Sequence, residues 1–215
     1  MTEHNNEQEK ITSFVVKKIY DPFLRFLHVW NGLSVFSLML TIWLKGFVKP
    51  YPNGPDIIYR FHVFIGYALT AGILARIIWG FIGSEHARFK NMWFFYDWIK
   101  VLKTKKLENT PRWGHDKYAS IVYLFFYLMM LYQVISGLAL AARRFGIGPF
   151  SSFVMQAKEK TPFMQNLKQI HEIVFYIFMG YIVLHVGMII FHEITQKYPI
   201  AQSMFSGIQY RKPKK

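Results

Sequence analysis

The chain of 215 residues contains no cysteine. This absence excludes disulfides, thiolate-ligated metals, cysteine-held iron–sulfur clusters and haem attached covalently through cysteine. Acidic residues are also scarce, with 12 Asp and Glu against 26 Lys and Arg. Any redox chemistry must therefore use His, Met, Tyr or a bound cofactor.

Hydrophobic residues make up 53% of the chain and aromatic residues 19%, which is too apolar for a soluble domain of this length. A net charge of +14 would suggest nucleic-acid binding if the basic residues covered a soluble surface. Most of them instead lie between long apolar runs, where they orient helices in a bilayer. We expect a membrane protein that binds no nucleic acid.

Four apolar runs have the roughly 20 residues that a helix needs to cross a bilayer, and they cover residues 24–44, 61–82, 118–142 and 170–191. The predicted fold is an all-α membrane protein, a bundle of four transmembrane helices. Residues 19–207 form the helical domain, between a polar N-terminal tail, 1–18, and a basic C-terminal tail, 208–215. The N-terminal tail lacks the features of a signal peptide, so the first run is expected to be retained.

Lys and Arg are concentrated on the side of the bundle that carries the two tails. The positive-inside rule then predicts that both termini are cytoplasmic and that the protein is a multi-pass component of the bacterial inner membrane. Residues 91–103 mix aromatic and charged side chains, which predicts an amphipathic helix lying in the membrane interface between the second and third spans.

Four of the eight histidines fall within the predicted spans, and they are His28, His62, His171 and His185. A polar ring in lipid needs a partner, a cavity or a cofactor. His171 and His185 are 14 residues apart, which places them within roughly 40° of one helix face and ~21 Å apart along it. Depth in the membrane pairs His28 with His185 and His62 with His171.

Two histidines per centre are what six-coordinate haem requires, so we predict two non-covalent b haems, one held by each pair. Arg76 lies 14 residues after His62, at the depth of the cytoplasmic pair, and is predicted to bind a haem propionate. Four glycines near these histidines are expected to let the porphyrin edge approach the backbone, and they are Gly32, Gly66, Gly180 and Gly187. His192 is an alternative to His185 as a ligand.

His115 precedes the third span and either relays protons to a quinone or caps a helix, and Asp116 beside it is a second candidate for supplying protons. His4 and His86 are expected to be solvated. An ion-coupled transporter without haem is the main competing class. Such a transporter would normally place an acid or a broken helix near the membrane midplane, and the sequence has neither. A non-haem iron enzyme would need histidines clustered on one side, and the spacing of the histidines in this chain does not give such a cluster.

Several motifs resemble those of the bacterial transmembrane di-haem cytochrome b superfamily, particularly the b-type cytochrome subunit of membrane-bound nickel–iron hydrogenases. They include the run from Asp21 to His28, Arg60-Phe61-His62, Gly114-His115-Asp116 and the run from Ser203 to Gly207. The resemblance covers residues 20–207. It implies haem ligation by the four intramembrane histidines and quinone reduction near the cytoplasmic haem.

The sequence departs from the hydrogenase cytochromes after Gly114-His115, where they usually have Asn and Pro and this chain has Asp116 and Lys117. Relatives in the superfamily serve other dehydrogenases, reductases or c-type cytochromes, and one branch oxidises superoxide directly. We expect electrons to pass from a periplasmic redox partner through both haems to membrane quinone. The reverse direction uses the same residues, and partner-independent superoxide:quinone oxidoreductase activity is the alternative.

Overall fold

The computed structural model describes residues 15–93, 95–104, 113–114, 117–154, 161–196 and 202–211. In chain order the elements are β1 (Val15–Lys18), α1 (Pro22–Val48), α2 (Gly54–Ile82), α3 (Phe89–Met92), α4 (Phe95–Thr104), α5 (Lys117–Phe145), α6 (Ser151–Val154), α7 (Pro162–Gln196), α8 (Ser203–Ser206) and β2 (Ile208–Arg211).

Four of the helices, α1, α2, α5 and α7, are long and apolar enough to cross a membrane. They contain the four predicted apolar runs, so the prediction of a helical multi-pass membrane protein is confirmed. The helices are longer than the runs: α7 begins at Pro162 and not at residue 170. An apolar run marks only the part of a helix that fits the hydrocarbon, and polar helix-forming residues continue it at either end.

A tight hairpin joins α1 to α2. Asn53 adopts the left-handed conformation (φ 59°) just before α2 begins. A Cβ added to Gly54 would lie 2.3 Å from the carbonyl oxygen of Val48, so only glycine fits at this turn. We call this end of the bundle, with the α1–α2 turn, the hairpin side.

The bundle is held by the packing of α1 on α2, of α2 on α5, and of α5 on α7. Its core contains pairs of buried residues from three of these helices: Leu69 and Ile73, Met129 and Met130, and Val174 and Phe178. Many large apolar side chains point outward instead, such as Phe64 and Val183. Contiguous exposed apolar surface of this extent is what lipid-facing helices present.

The opposite end of the bundle carries a small antiparallel sheet, in which Val16 pairs with Tyr210 and Lys17 with Gln209. Gly207 precedes β2 in the left-handed conformation (φ 80°), and its carbonyl oxygen accepts hydrogen bonds from the backbone N–H of Ile19 and Tyr20. The all-α prediction did not include this sheet, which occupies described parts of both predicted tails. We call this end the ribbon side.

A helix also forms in the segment predicted to be amphipathic. The helix α4 overlaps residues 91–103, and Trp98 within it donates a hydrogen bond from its indole nitrogen to Ser120 Oγ on α5 (2.9 Å). This bond fixes α4 against the third long helix. Its location in the membrane interface stays a prediction.

Candidate functional site

The structure brings His28 of α1 and His185 of α7 together on the ribbon side. Their ring centroids are 6.4 Å apart and their planes are inclined by 49°. Metal–imidazole bonds are about 2 Å long, so rings on opposite sides of one metal ion have centroids about 6 Å apart. The spacing of His28 and His185 therefore fits two axial ligands of one haem iron.

Aromatic rings support the ribbon-side pair. Tyr181, one turn before His185, stacks nearly parallel to its ring (6.0 Å between centroids, 8°). Phe126 of α5 stacks in turn on Tyr181 (4.5 Å, 29°). Because Tyr181 joins His185 to α5 through these two contacts, the orientation of His185 is set by packing against α5. The His28 and His185 side chains are themselves exposed on the protein surface.

The second pair lies on the hairpin side. His62 of α2 and His171 of α7 are half-buried and within electrostatic reach of each other. The hydroxyl of Thr41 lies 2.7 Å from His62 Nδ1, and the hydroxyl of Ser136 lies 2.8 Å from His171 Nδ1. Each hydroxyl comes from a neighbouring helix, α1 or α5. In both rings Nδ1 is engaged, which leaves Nε2 for a metal ion.

The glycines near the histidines leave the helix surface clear. No heavy atom lies within 4 Å of the position that a Cβ would take at any of four glycines, Gly32, Gly66, Gly180 and Gly187. A flat ring system can therefore lie against the backbone at these positions. Together with the ring spacing on the ribbon side, this geometry fits a b-type haem.

Arg76 is only 5% exposed and lies near the ribbon side of α2. Its guanidinium donates to the carbonyl oxygen of Ala87 (3.1 Å) and lies over the rings of Phe89 and Tyr127. Its Nη1 is buried without a hydrogen-bond partner in the described part of the chain. A buried unpaired donor favours an anion nearby, which fits the predicted haem propionate. That role stays a prediction.

Asp21 ties the beginning of α1 to the end of α2. Its carboxylate accepts hydrogen bonds from Ser84 Oγ (2.5 Å), Trp79 Nε1 (3.3 Å) and the backbone N–H of Leu24 (2.8 Å). Burial raises the pKa of Asp21, but these hydrogen bonds outweigh burial and hold the pKa below its ordinary value. The charged carboxylate thus fixes the helix turn that leads to His28.

His86 was expected to be solvated, but it is half-buried beside Gly114. Burial lowers the pKa of His86, and the charge of Lys17 lowers it further against the opposing effect of Glu85. Gly114 itself accepts a hydrogen bond from the Tyr20 hydroxyl and donates one to Gln209 Oε1. The segment preceding His115 and Asp116 is therefore fixed to the ribbon side. These last two residues lie outside the described ranges.

His192 lies two turns beyond His185 on α7, with its ring near that of Phe191 (5.8 Å). The ring that faces His28 at 6.4 Å is that of His185. The role of His192 as a replacement ligand stays a prediction.

Within the described ranges, no group of three or more His, Asp or Glu side chains is placed to hold a metal ion.

Sequence reasoning did not select Thr41 or Ser136. Hydroxyl residues are common in membrane helices, where they bond to their own helix, so their presence alone indicates nothing. Thr41 lies 13 residues after His28 on α1 and hence near the opposite end of the span. Its depth therefore matched that of His62. The rotation of each helix about its axis, which the sequence does not give, decides whether such a hydroxyl meets a histidine.

Comparison with known proteins finds similarity over most of the chain. A model of the family described as prokaryotic cytochrome b561 matches residues 19–207. The "Probable Ni/Fe-hydrogenase B-type cytochrome subunit" of Azotobacter vinelandii is 24% identical over 95% of this chain and 93% of its own. The protein of that name from Rhizobium leguminosarum bv. viciae is 23% identical over 88% and 87%.

A third relative is the "Probable Ni/Fe-hydrogenase 1 B-type cytochrome subunit" of Escherichia coli (strain K12), which is 23% identical over 68% of this chain and 69% of its own. No solved structure matches the chain significantly.

Proposed function

Because the chain belongs to the prokaryotic cytochrome b561 family, we propose that its two histidine pairs hold two b haems and that it transfers electrons from one membrane face to the other. The family and the fold show a multi-pass membrane protein with a b-type haem and an electron-transfer role.

One observation carries it: α7 presents a histidine to each end of the bundle. His185 faces His28 of α1 at a spacing that suits two axial ligands. His171 is near His62 of α2. When bound, haem b supplies reversible one-electron transfer at iron. His28 with His185 would hold one haem and His62 with His171 the other.

We further propose that the ribbon side is cytoplasmic in a bacterial inner membrane and binds quinone. Reduction of quinone to quinol takes two electrons and two protons, so a quinone site needs side chains that deliver protons. The half-buried His86 and the segment fixed at Gly114, which leads to His115 and Asp116, lie on this side. These residues are candidates for delivering the protons.

The redox partner on the hairpin side is proposed from the relatives, whose printed names make them cytochrome subunits of Ni/Fe-hydrogenases. A nickel–iron hydrogenase is therefore the first partner to test, followed by other dehydrogenases and c-type cytochromes. The same residues serve electron flow in either direction.

The testing experiment is a dithionite-reduced minus oxidised spectrum of the detergent-purified protein, with pyridine haemochrome quantitation. We expect about two b haems per chain. A well-folded preparation that was supplied with haem and binds none would overturn the proposal and favour a transporter. Quinone reduction by superoxide with no partner protein present would replace the partner-dependent function.

A further inference from the structure

We infer that Thr41 and Ser136 are positioning residues that hold both hairpin-side histidines as the tautomer protonated on Nδ1, and so set the redox potential of the haem at that site. The inference rests on the proposed function, since it concerns a haem held by His62 and His171. It assigns roles to two residues that do not touch the haem iron.

The positions of the hydrogens follow from counting donors. The Thr41 hydroxyl has one hydrogen, and its oxygen lies 2.6 Å from the carbonyl oxygen of Leu38, which can only accept. That hydrogen is therefore donated to Leu38. The 2.7 Å contact with His62 Nδ1 must then be donated by the imidazole N–H.

The Ser136 hydroxyl on α5 repeats the arrangement at His171. Its oxygen lies 2.7 Å from the carbonyl oxygen of Tyr132, so its hydrogen is donated there. His171 Nδ1 at 2.8 Å is consequently the donor to Ser136 Oγ. Ser136 is only 1% exposed, so water does not compete for this bond. Two hydroxyls on two different helices thus impose the same tautomer on His62 and His171.

This tautomer is the one that a metal centre requires. With the proton on Nδ1, the lone pair of each ring is on Nε2, and that atom is free to ligate iron. Donation of the Nδ1 proton to an acceptor also makes the imidazole a more basic ligand and fixes the plane of the ring. A more basic ligand stabilises ferric over ferrous iron, so these hydrogen bonds lower the potential of the hairpin-side haem.

The ribbon-side pair, His28 and His185, differs from the hairpin-side pair in this respect. In the described part of the chain, no Ser or Thr side chain forms a hydrogen bond to His28 or His185. The chain also offers matched hydroxyls that bond only to their own helix: Ser34 Oγ donates to Trp30 (2.8 Å) and Thr70 Oγ1 to Gly66 (2.7 Å). These two residues serve as controls for Ser136 and Thr41.

The test is a redox titration of the purified holoprotein, followed by its optical spectrum, with low-spin electron paramagnetic resonance as a second readout. We expect Thr41→Val and Ser136→Ala each to raise the midpoint potential of the same one of the two haems, and the double variant to raise it further. The resonance of that haem alone should also shift, because ring orientation changes. Thr41→Ser keeps the hydroxyl and should retain the midpoint potential and the resonance of the parent.

The controls Thr70→Val and Ser34→Ala should titrate like the parent. Equal shifts of both haems, no shift in either Thr41→Val or Ser136→Ala, or the same shift in Thr70→Val would overturn the inference. If Thr41→Val does not fold, Ser136→Ala and Thr41→Ala decide the question by the same criteria.

Failure of the proposed function gives a different result. In that case the parent lacks two b haems, or His62→Ala and His171→Ala retain both. A parent with two haems, each of these alanine variants with one, and hydroxyl variants that titrate like the parent would leave the proposed function intact and remove only the role of Thr41 and Ser136.

Discussion

The two histidine pairs consist of the same side chain but are positioned by different interactions. On the hairpin side, His62 and His171 are half-buried and hydrogen-bonded through Nδ1. On the ribbon side, His28 and His185 are more exposed, and His185 is held by stacking on Tyr181. Hydrogen bonds fix a ring in one plane, whereas stacking permits it to slide. The hairpin-side site should be the more rigid of the two.

The charges near the two pairs differ as well. Arg76 is buried near the ribbon side with an unpaired Nη1, and Asp21 there accepts three hydrogen bonds. On the hairpin side the ion pair between Arg144 and Asp56 is exposed. Buried charges act through a lower effective dielectric than exposed ones. Charge substitutions should therefore change the ribbon-side site more than the hairpin-side site.

The largest expected effect is the loss of one haem on removing a ligand. His171→Ala should lose the hairpin-side haem and His185→Ala the ribbon-side haem, so each variant should retain about one haem per chain by pyridine haemochrome. The two variants should lose different components of the redox titration. His192→Ala is the matched control and should keep two.

If His28→Ala, His62→Ala, His171→Ala and His185→Ala all kept two haems, the ligand assignment would be wrong. If His192→Ala lost one haem and His185→Ala did not, the ligand on α7 would be His192.

Asp21→Ala should come next in size. It removes the N-cap of α1 and the acceptor for Ser84 and Trp79, which together should cost roughly 2 kcal/mol or more. Thermal unfolding of the holoprotein measures the loss, and the ribbon-side haem should dissociate first. Asp56→Ala, which breaks the exposed ion pair with Arg144, should cost about 1 kcal/mol at most. Equal losses in the two variants would contradict this ranking.

Arg76→Leu should lower the midpoint potential of the ribbon-side haem alone. A nearby cation favours ferrous over ferric iron, because reduction removes one positive charge. A charge within roughly 15 Å contributes about 1 kcal/mol at an effective dielectric of about 20. Arg76→Lys keeps the charge and should retain most of the potential, whereas Arg144→Leu should leave it unchanged. An unchanged potential in Arg76→Leu would place the guanidinium too far from the haem to act on it.

The smallest effect concerns acid sensitivity. The pKa of His86 lies below its ordinary value of 6.5 because the folded chain buries the ring, so the unfolded chain takes up a proton more readily. The stability due to neutral His86 is present above about pH 6.5 and is lost as the pH falls towards the lower folded pKa. We expect His86→Gln to lose less thermal stability than the parent between pH 7.5 and pH 5.5. Equal losses would indicate that His86 does not contribute.

The sequence predicted the parts of this protein that depend on local pattern. Apolar runs located four helices, and the 14-residue separation of His171 and His185 placed two histidines on one face. Thr41 was not predicted, because its contact with His62 depends on how α1 is rotated against α2. The contact between Arg76 and the ring of Phe89 was not predicted either, because it requires the chain to fold back after α2.

The ribbon was also missed, because its two strands, four residues each, lie at opposite ends of the sequence. Neither strand is long enough to show a hydrophobic alternation of its own.

That ribbon has a consequence for how the protein is made. β1 leaves the ribosome before the first membrane helix, and its partner β2 leaves after the fourth. β1 therefore has no strand to pair with until all four helices have been made. The backbone N–H groups of Ile19 and Tyr20 likewise lack their acceptor, the carbonyl oxygen of Gly207, until then. The hydrogen bonds at the start of α1 can therefore form only after residues 207–211 have been made. A nascent chain that stops before residue 207 lacks the carbonyl group that accepts these two hydrogen bonds.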